Sequence, residues 1–252
     1  MPFSMPLAPT EYAQNFTVYR HDGDCYGYVR PASILRYGQQ IATMHAYRIG
    51  LTDEVYARTH TAYVLAKLAV HFDRVPCVDE ELTLITQPER LKRAVNKRIT
   101  RIFGSDGREA GCLDSRWVLI DTEKRTILRT HPAEFTIWDA DIERELPMRM
   151  TKVPLEQTEA FGTRYADYSL CDMNGHLNNT RYVDLICDAL PWEVWDTAEV
   201  EDLLIFYHKE VPRGETFTLH RAQTGENTWY FTGQREGKAA FEATVTLRAR
   251  RR

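Results

Sequence analysis

The chain repeats itself, and this constrains its fold more than any other feature. Val75-Pro76 precedes Glu80-Glu81-Leu82-Thr83-Leu84, and Val211-Pro212 precedes Gly214-Glu215-Thr216-Phe217-Thr218-Leu219. Each reads as a strand end, a proline-containing turn with acidic residues, and a new strand. An apolar strand candidate lies upstream of each, Tyr63 to Phe72 and Leu203 to Tyr207. Before those strands, helical spacing links Ile34, Gly38, Ile41, His45 and Ile49 in the first half. It links Tyr182, Val183, Ile186, Ala189 and Leu190 in the second. Ser33 and Asn179 stand where N-caps are expected, and Pro191 ends or kinks the second helix.

Further strands are expected at Val95 to Phe103, Asp114 to Asp121, Thr228 to Gln234 and Ala239 to Arg248. Ser105-Asp106-Gly107 and Arg235-Glu236-Gly237 read as hairpin turns. Ala243, Val245 and Leu247 alternate with Thr244, Thr246 and Arg248, the pattern of a half-buried strand. Each half is therefore a strand, a long helix and several antiparallel strands, an α+β plan. The expected domains are 11–138 and 155–250, joined by a charged, weakly periodic linker from about His131 to Pro154.

Composition narrows the function classes. Of 252 residues, 43% are hydrophobic and 27% charged, enough for a core that needs no metal or disulfide. Five cysteines, an odd number without a CxxC, point to a reducing compartment and away from a structural zinc site. The net charge of −4 gives no general attraction to nucleic acid or acidic lipid, so an acidic partner has to meet a local basic patch. The first ten residues lack a basic region and a long apolar run, so they read as a loosely ordered arm rather than a signal peptide. No apolar run approaches the roughly 20 residues that span a bilayer. A cytoplasmic protein without membrane association is expected.

Asp172-x-Asn174-x-His176, then Asn178-Asn179 and Tyr182, stand where the second helix begins, and Tyr207-His208-Lys209-Glu210 come one strand later. This set resembles the acyl-acyl-carrier-protein thioesterases of plants and bacteria. Asp73-Arg74-Val75-Pro76 and Trp117-Val118 add weaker matches, and the resemblance runs from about Phe16 to Leu247. It implies two tandem hotdog domains, each a curved antiparallel sheet wrapped around a long central helix. It also implies hydrolysis of fatty-acyl-carrier-protein thioesters, with no cofactor. Some members carry Cys directly after the Glu, a natural nucleophile. Here that position is Val211, which cannot attack. Cys171 and Asp172 are neighbours, so they point to opposite faces and do not share the site.

Thioester hydrolysis needs an aimed and deprotonated water, a stabilised oxyanion and a sheltered acyl chain, and these needs suggest the catalytic roles. Glu210 is the candidate general base, made more basic by partial desolvation. Direct attack by Glu210 to form an anhydride is the competing role. His176 orients the water, stabilises developing charge or protonates the leaving thiolate. Asn174 offers a donor and an acceptor, and Asp172 orients His176 or Asn174. Backbone N–H groups near Asn178 at the helix start supply an oxyanion site, and Gly175 permits tight backbone passage. In the first half Tyr26-Gly27-Tyr28-Val29-Arg30 stands in place of the motif, so that half shapes the acyl pocket, as the resemblance implies. His208 and Lys209 read as solvated strand residues, and His45 as a core histidine. A metal site from Asp172, His176 and Glu210 is disfavoured, since nothing else has ligand spacing.

The densest basic stretch is Arg90, Lys92, Arg93, Lys97, Arg98 and Arg101. It reads either as a solvated strand pair or as a dock for an acidic carrier protein. Other classes stay open: an acyl-CoA thioesterase, or a hotdog protein that binds or hydrates acyl chains without hydrolysing them. Two fused hotdogs imitate the usual dimer, so both a monomer and a homodimer remain open.

Overall fold

Pro31 opens the first long helix, because its fixed φ suits a helix start and its missing N–H costs nothing there. The computed structural model describes residues 6–92, 94–135 and 140–250, and the chain divides into units 1–146 and 147–252. The first unit runs β1 (Tyr12–Thr17), α1 (Pro31–Arg48), α2 (Asp53–Thr59), β2 (Thr61–Phe72), β3 (Glu81–Pro88), β4 (Val95–Gly104), β5 (Glu109–Asp121) and β6 (Thr126–Ile127). Its strands lie in the order β1-β3-β4-β5-β2, every neighbour antiparallel, with β6 on β5. Helix α1 buries Ile34, Gly38, Ile41 and His45, the face expected from their spacing. A Cβ on Gly38 would stand 2.9 Å from Leu113 Cδ2, so glycine lets the helix close onto the sheet. His45 is indeed a core histidine, its Nδ1 3.1 Å from Arg98 Nη1.

The second unit runs β7 (Glu159–Tyr165), α3 (Arg181–Asp188), α4 (Trp192–Thr197), β8 (Ala198–Tyr207), β9 (Thr216–Gly225), β10 (Thr228–Arg235) and β11 (Lys238–Ala249). Its strand order is β7-β9-β10-β11-β8, again antiparallel throughout. Glu236 and Gly237, with φ of 52° and 70°, make the expected tight turn between β10 and β11. Both units have the α+β plan, but α3 is not the long helix expected. It has 8 residues, and Ala189 and Leu190 are buried just beyond its end. Pro191, which lacks an N–H, precedes α4.

Three local expectations are corrected. Ser33 lies inside α1, where its Oγ donates to Asp22 O at 2.9 Å, and Arg30 is the N-cap. Thr180 rather than Asn179 precedes α3, and Asn178 Oδ1 accepts from both Thr180 N (2.9 Å) and Thr180 Oγ1 (2.7 Å). The expected linker starts late. Residues 140–146 are fastened to the first unit by Arg90 N to Ala140 O (2.6 Å), Lys97 Nζ to Ile142 O (2.7 Å) and Leu146 N to Asp114 Oδ2 (3.1 Å).

Candidate active site

The segment from Cys171 to Leu177 is a closed turn. Asp172 N donates to His176 O (2.9 Å) and Gly175 N to Asp172 O (3.0 Å). Asp172 Oδ1 accepts from Asn174 N at 2.9 Å, an Asx turn. Gly175 has φ +73°, which glycine adopts without strain. The turn is stapled to the chain after β8 by Leu177 N to Val211 O (2.8 Å) and Arg213 N to Gly175 O (2.9 Å). That staple carries Glu210 to His176: Nε2 and Oε2 are 3.4 Å apart, the two side chains 32% and 46% exposed. Both are therefore open to a substrate, and Glu210 is only partly shielded from water by the protein itself.

An aromatic floor supports the turn. The Tyr182 ring lies 5.6 Å from that of Tyr207 and 4.9 Å from that of Phe241, and Tyr207 Oη donates to Asn179 O at 2.8 Å. Burial drives the Tyr182 phenol above its ordinary range, and the carboxylates of Glu210 and Asp172 push the same way. Of the four candidate catalytic residues, His176 and Glu210 are in contact. Asp172 and Asn174 share their turn, with the Asp172 carboxylate on the Asn174 N–H rather than on the imidazole. Asn174 itself is exposed. At the helix start, where the oxyanion site is expected, three N–H groups are already engaged: Asn178 N donates to Leu170 O, Arg181 N to Asn178 O and Thr180 N to Asn178 Oδ1. Cys171 Sγ lies 3.6 Å from Ala166 O, and Val211 is fully buried.

The first unit contains the same turn, which the Asn and His of the motif do not reveal because neither recurs there. Asp24 N donates to Tyr28 O (2.7 Å) and Gly27 N to Asp24 O (3.2 Å). Asp24 Oδ1 accepts from Tyr26 N (2.9 Å), and Gly27 has φ +85°. Val29 N donates to Pro76 O (2.8 Å) and Val78 N to Gly27 O (2.8 Å), reproducing the staple. The counterparts are thus Asp24 for Asp172, Tyr26 for Asn174, Tyr28 for His176 and Val75 for Glu210. The shared Val-Pro pairs are one residue out of register, since Pro76 stands where Val211 does. The signal that locates the true repeat is Asp-x-x-Gly, present at Asp24 and at Asp172.

A model of the acyl-ACP thioesterase N-terminal domain matches residues 9–136, and one of the C-terminal domain matches residues 152–246. The chain belongs to the acyl-ACP thioesterase family. The oleoyl-acyl carrier protein thioesterase 1 of Arabidopsis thaliana is 21% identical over 236 residues, covering 85% of this chain and 64% of its own length. The palmitoyl-acyl carrier protein thioesterase of Cuphea hookeriana is 24% identical over 222 residues, covering 80% of this chain and 52% of its own. The chain thus spans 52% to 64% of the length of these curated relatives. Two solved structures share its double hotdog fold. An acyl-ACP thioesterase from Bacteroides thetaiotaomicron has a TM-score of 0.86 at 22% identity, covering 95% of this chain and 98% of its own. The 12:0-ACP thioesterase from Umbellularia californica has a TM-score of 0.87 at 15% identity, covering 98% and 100%.

In this acyl-ACP thioesterase family member the basic stretch is not one solvated face. Lys97 is 5% exposed and Arg98 8%. Lys97 Nζ lies 3.5 Å from Glu89, and Arg98 Nη1 also donates to Thr86 Oγ1 at 3.1 Å. Burial lowers the Arg98 guanidinium to about 10. Both side chains are internal to the first unit, so the docking expectation is corrected for them. Arg90 and Lys92 reach solvent, each 3.2 Å or less from Asp141, and Arg101 pairs with Glu11 at 2.8 Å. Arg93 lies outside the described residues. His208 is exposed, as expected, and also bonds the buried carboxylate of Glu242 at 2.7 Å. Among the described residues no group of three His, Cys, Asp or Glu side chains could hold a metal, and no helix is long and apolar enough to cross a membrane.

Proposed function

We propose that this protein hydrolyses the thioester of fatty-acyl-acyl carrier protein, releasing free fatty acid and ending chain elongation in the cytoplasm. The observation that carries the reading is the His176–Glu210 contact on the turn whose counterpart in the other half holds Tyr28 and Val75. Family membership and relatives named for acyl-carrier-protein substrates support it.

Glu210 takes a proton from water as the water oxygen bonds the thioester carbon. The oxyanion is met by Nε2–H of His176 and the side-chain amide of Asn174. Collapse breaks the C–S bond. The proton that Glu210 took from water is delivered to the departing thiolate, while the Nε2–H of His176, 3.4 Å from Glu210, hydrogen-bonds the developing charge and the imidazole stays neutral. The products are the carboxylic acid and the carrier thiol, and every group involved belongs to the chain or to water. The bound acyl chain supplies the desolvation of Glu210 that the half-exposed site lacks alone.

The test is thiol release from acyl-carrier-protein substrates of graded chain length, with the matching CoA esters alongside. Preference for the carrier protein supports the reading, whereas preference for CoA favours an acyl-CoA thioesterase. Absence of thiol from every thioester would end the hydrolase reading. Glu210→Gln and His176→Ala should each lower kcat by about a hundredfold or more with the fold intact.

A further inference from the structure

Strand β8 leaves its ladder through a bulge. His208 N and Lys209 N both donate to Ala240 O, at 2.8 and 3.0 Å. Side chains alternate along a strand, so Tyr207 and Glu210, three residues apart, would face opposite ways on an uninterrupted one. Yet both serve the same side: Tyr207 Oη bonds Asn179 O just before α3, and Glu210 meets His176. An extra residue in a bulge restores that parity and re-aims the side chains beyond it. The bulge is what turns Glu210 toward His176.

The first bulge residue is held from the other side of the sheet. His208 Nε2 lies 2.7 Å from Glu242 Oε2 on β11. Glu242 is buried, and Tyr230 Oη donates to its Oε1 (2.6 Å) while Lys152 Nζ lies 2.9 Å from Oε2. A carboxylate fixed by three partners is a rigid anchor, and none of the four groups takes part in the hydrolysis above. Glu210 is therefore bracketed by His208 on Glu242 and by Val211 O on Leu177 N.

We propose that the His208–Glu242 pair is a positioning device, which locks the bulge at residues 208–209 and so holds Glu210 against His176. Its rate readout rests on the hydrolase reading, and its spectroscopic readout does not. His208→Ala and His208→Gln are made in the full chain, since a glutamine amide can still donate to Glu242. Turnover of acyl-carrier-protein substrate and the His176 imidazole ¹⁵N resonances are then measured. His208→Ala should lower kcat by roughly tenfold or more with KM within about twofold, because a displaced carboxylate reacts slowly. It should also move the His176 resonances. His208→Gln should return both toward the parent. The proposal is overturned if His208→Ala leaves kcat and the His176 resonances unchanged, or if His208→Gln is as impaired as His208→Ala. Should the parent hydrolyse no thioester, the hydrolase reading fails, and the His176 resonances still decide the positioning claim.

Discussion

Asp172→Asn and Asp172→Ala separate two things a carboxylate can do here: carry charge to the chemistry, or build the turn that holds it. Asp172 Oδ1 accepts one hydrogen bond, from Asn174 N at 2.9 Å, and an asparagine Oδ1 can accept the same bond. Alanine cannot. A hydrogen bond of this kind contributes about 1 kcal/mol net, which corresponds to about a fivefold change in the population of the correct turn. Asp172→Ala should therefore lower kcat/KM about five- to tenfold, while Asp172→Asn stays within about twofold of the parent. Both losses are small beside the hundredfold or larger effects expected at His176 and Glu210, to which the proposed mechanism assigns proton transfer and charge stabilisation. Asp24 supports this assignment, since it makes the same bond to Tyr26 N in a turn with neither His nor Glu. The assay is steady-state thiol release, with the Asn174 backbone amide resonance reporting whether the turn survives. If Asp172→Asn loses activity about a hundredfold while that resonance stays in place, the carboxylate charge is required and the turn-building argument is wrong.

The remaining expectations concern the interior and one surface charge. Lys97→Glu should abolish cooperative folding of the first unit, because breaking a buried ion pair costs about 3–5 kcal/mol and the new charge faces Glu89. Arg90→Glu, at a half-exposed site, should keep the fold and raise KM for carrier-protein substrates about threefold while sparing CoA esters; equal loss on both would remove any docking role. Burial, then Arg98 and Arg48, lower His45 to about 4 from its usual 6.5. The folded state thus disfavours the proton, and the stability this gives is fully present above about pH 6.5 and lost as pH falls toward 4. The loss reaches about 3 kcal/mol, so urea midpoints should fall across that window in the parent and much less in His45→Gln. Gly233→Ala would put a Cβ 2.3 Å from Phe241 Cε1 and 2.9 Å from Phe217 Cδ2. It should cost about 1–3 kcal/mol by overpacking, read as a lower denaturant midpoint.

Much of this fold was legible because it rests on period. The alternation at Ala243, Val245 and Leu247 and the helical spacing from Ile34 to His45 are local signals, and both elements formed where expected. What was not legible depends on partners distant in sequence. Glu242 continues the polar face of Thr244, Thr246 and Arg248 on β11, yet it is buried and held by Tyr230, His208 and Lys152, three residues from three other segments. Lys97 reads as a surface charge until Ile142, 45 residues later, accepts its hydrogen bond. The bulge at His208 consists of two N–H groups sharing one carbonyl, which no residue type announces. In the site, the spacing of Asp172, Asn174 and His176 was visible. That Asp172 serves the backbone, and that Asn178 N and Thr180 N at the helix start are already engaged, was not.

On the proposed mechanism, the duplicated turn means that little of the chain separates a bare scaffold from a reactive one. Asp and Gly recur in both halves because the backbone needs an Asx acceptor and a positive φ, and the cross-strand staple is the same to within 0.1 Å in its hydrogen bonds. Among the positions where they differ are the three to which the proposed hydrolysis is assigned: Asn174 against Tyr26, His176 against Tyr28, and Glu210 against Val75. Each replacement in the first half removes a group that the proposed hydrolysis uses, and Val75 removes the only acid of the three. A hotdog unit can therefore keep its architecture without the side chains that the proposed hydrolysis uses, and the fold alone does not say which half reacts. The distinction lies in whether the residue delivered by the strand end is a carboxylate. For that reason the devices that deliver it, the bulge at His208 and the anchor at Glu242, bear on function even though they touch no substrate.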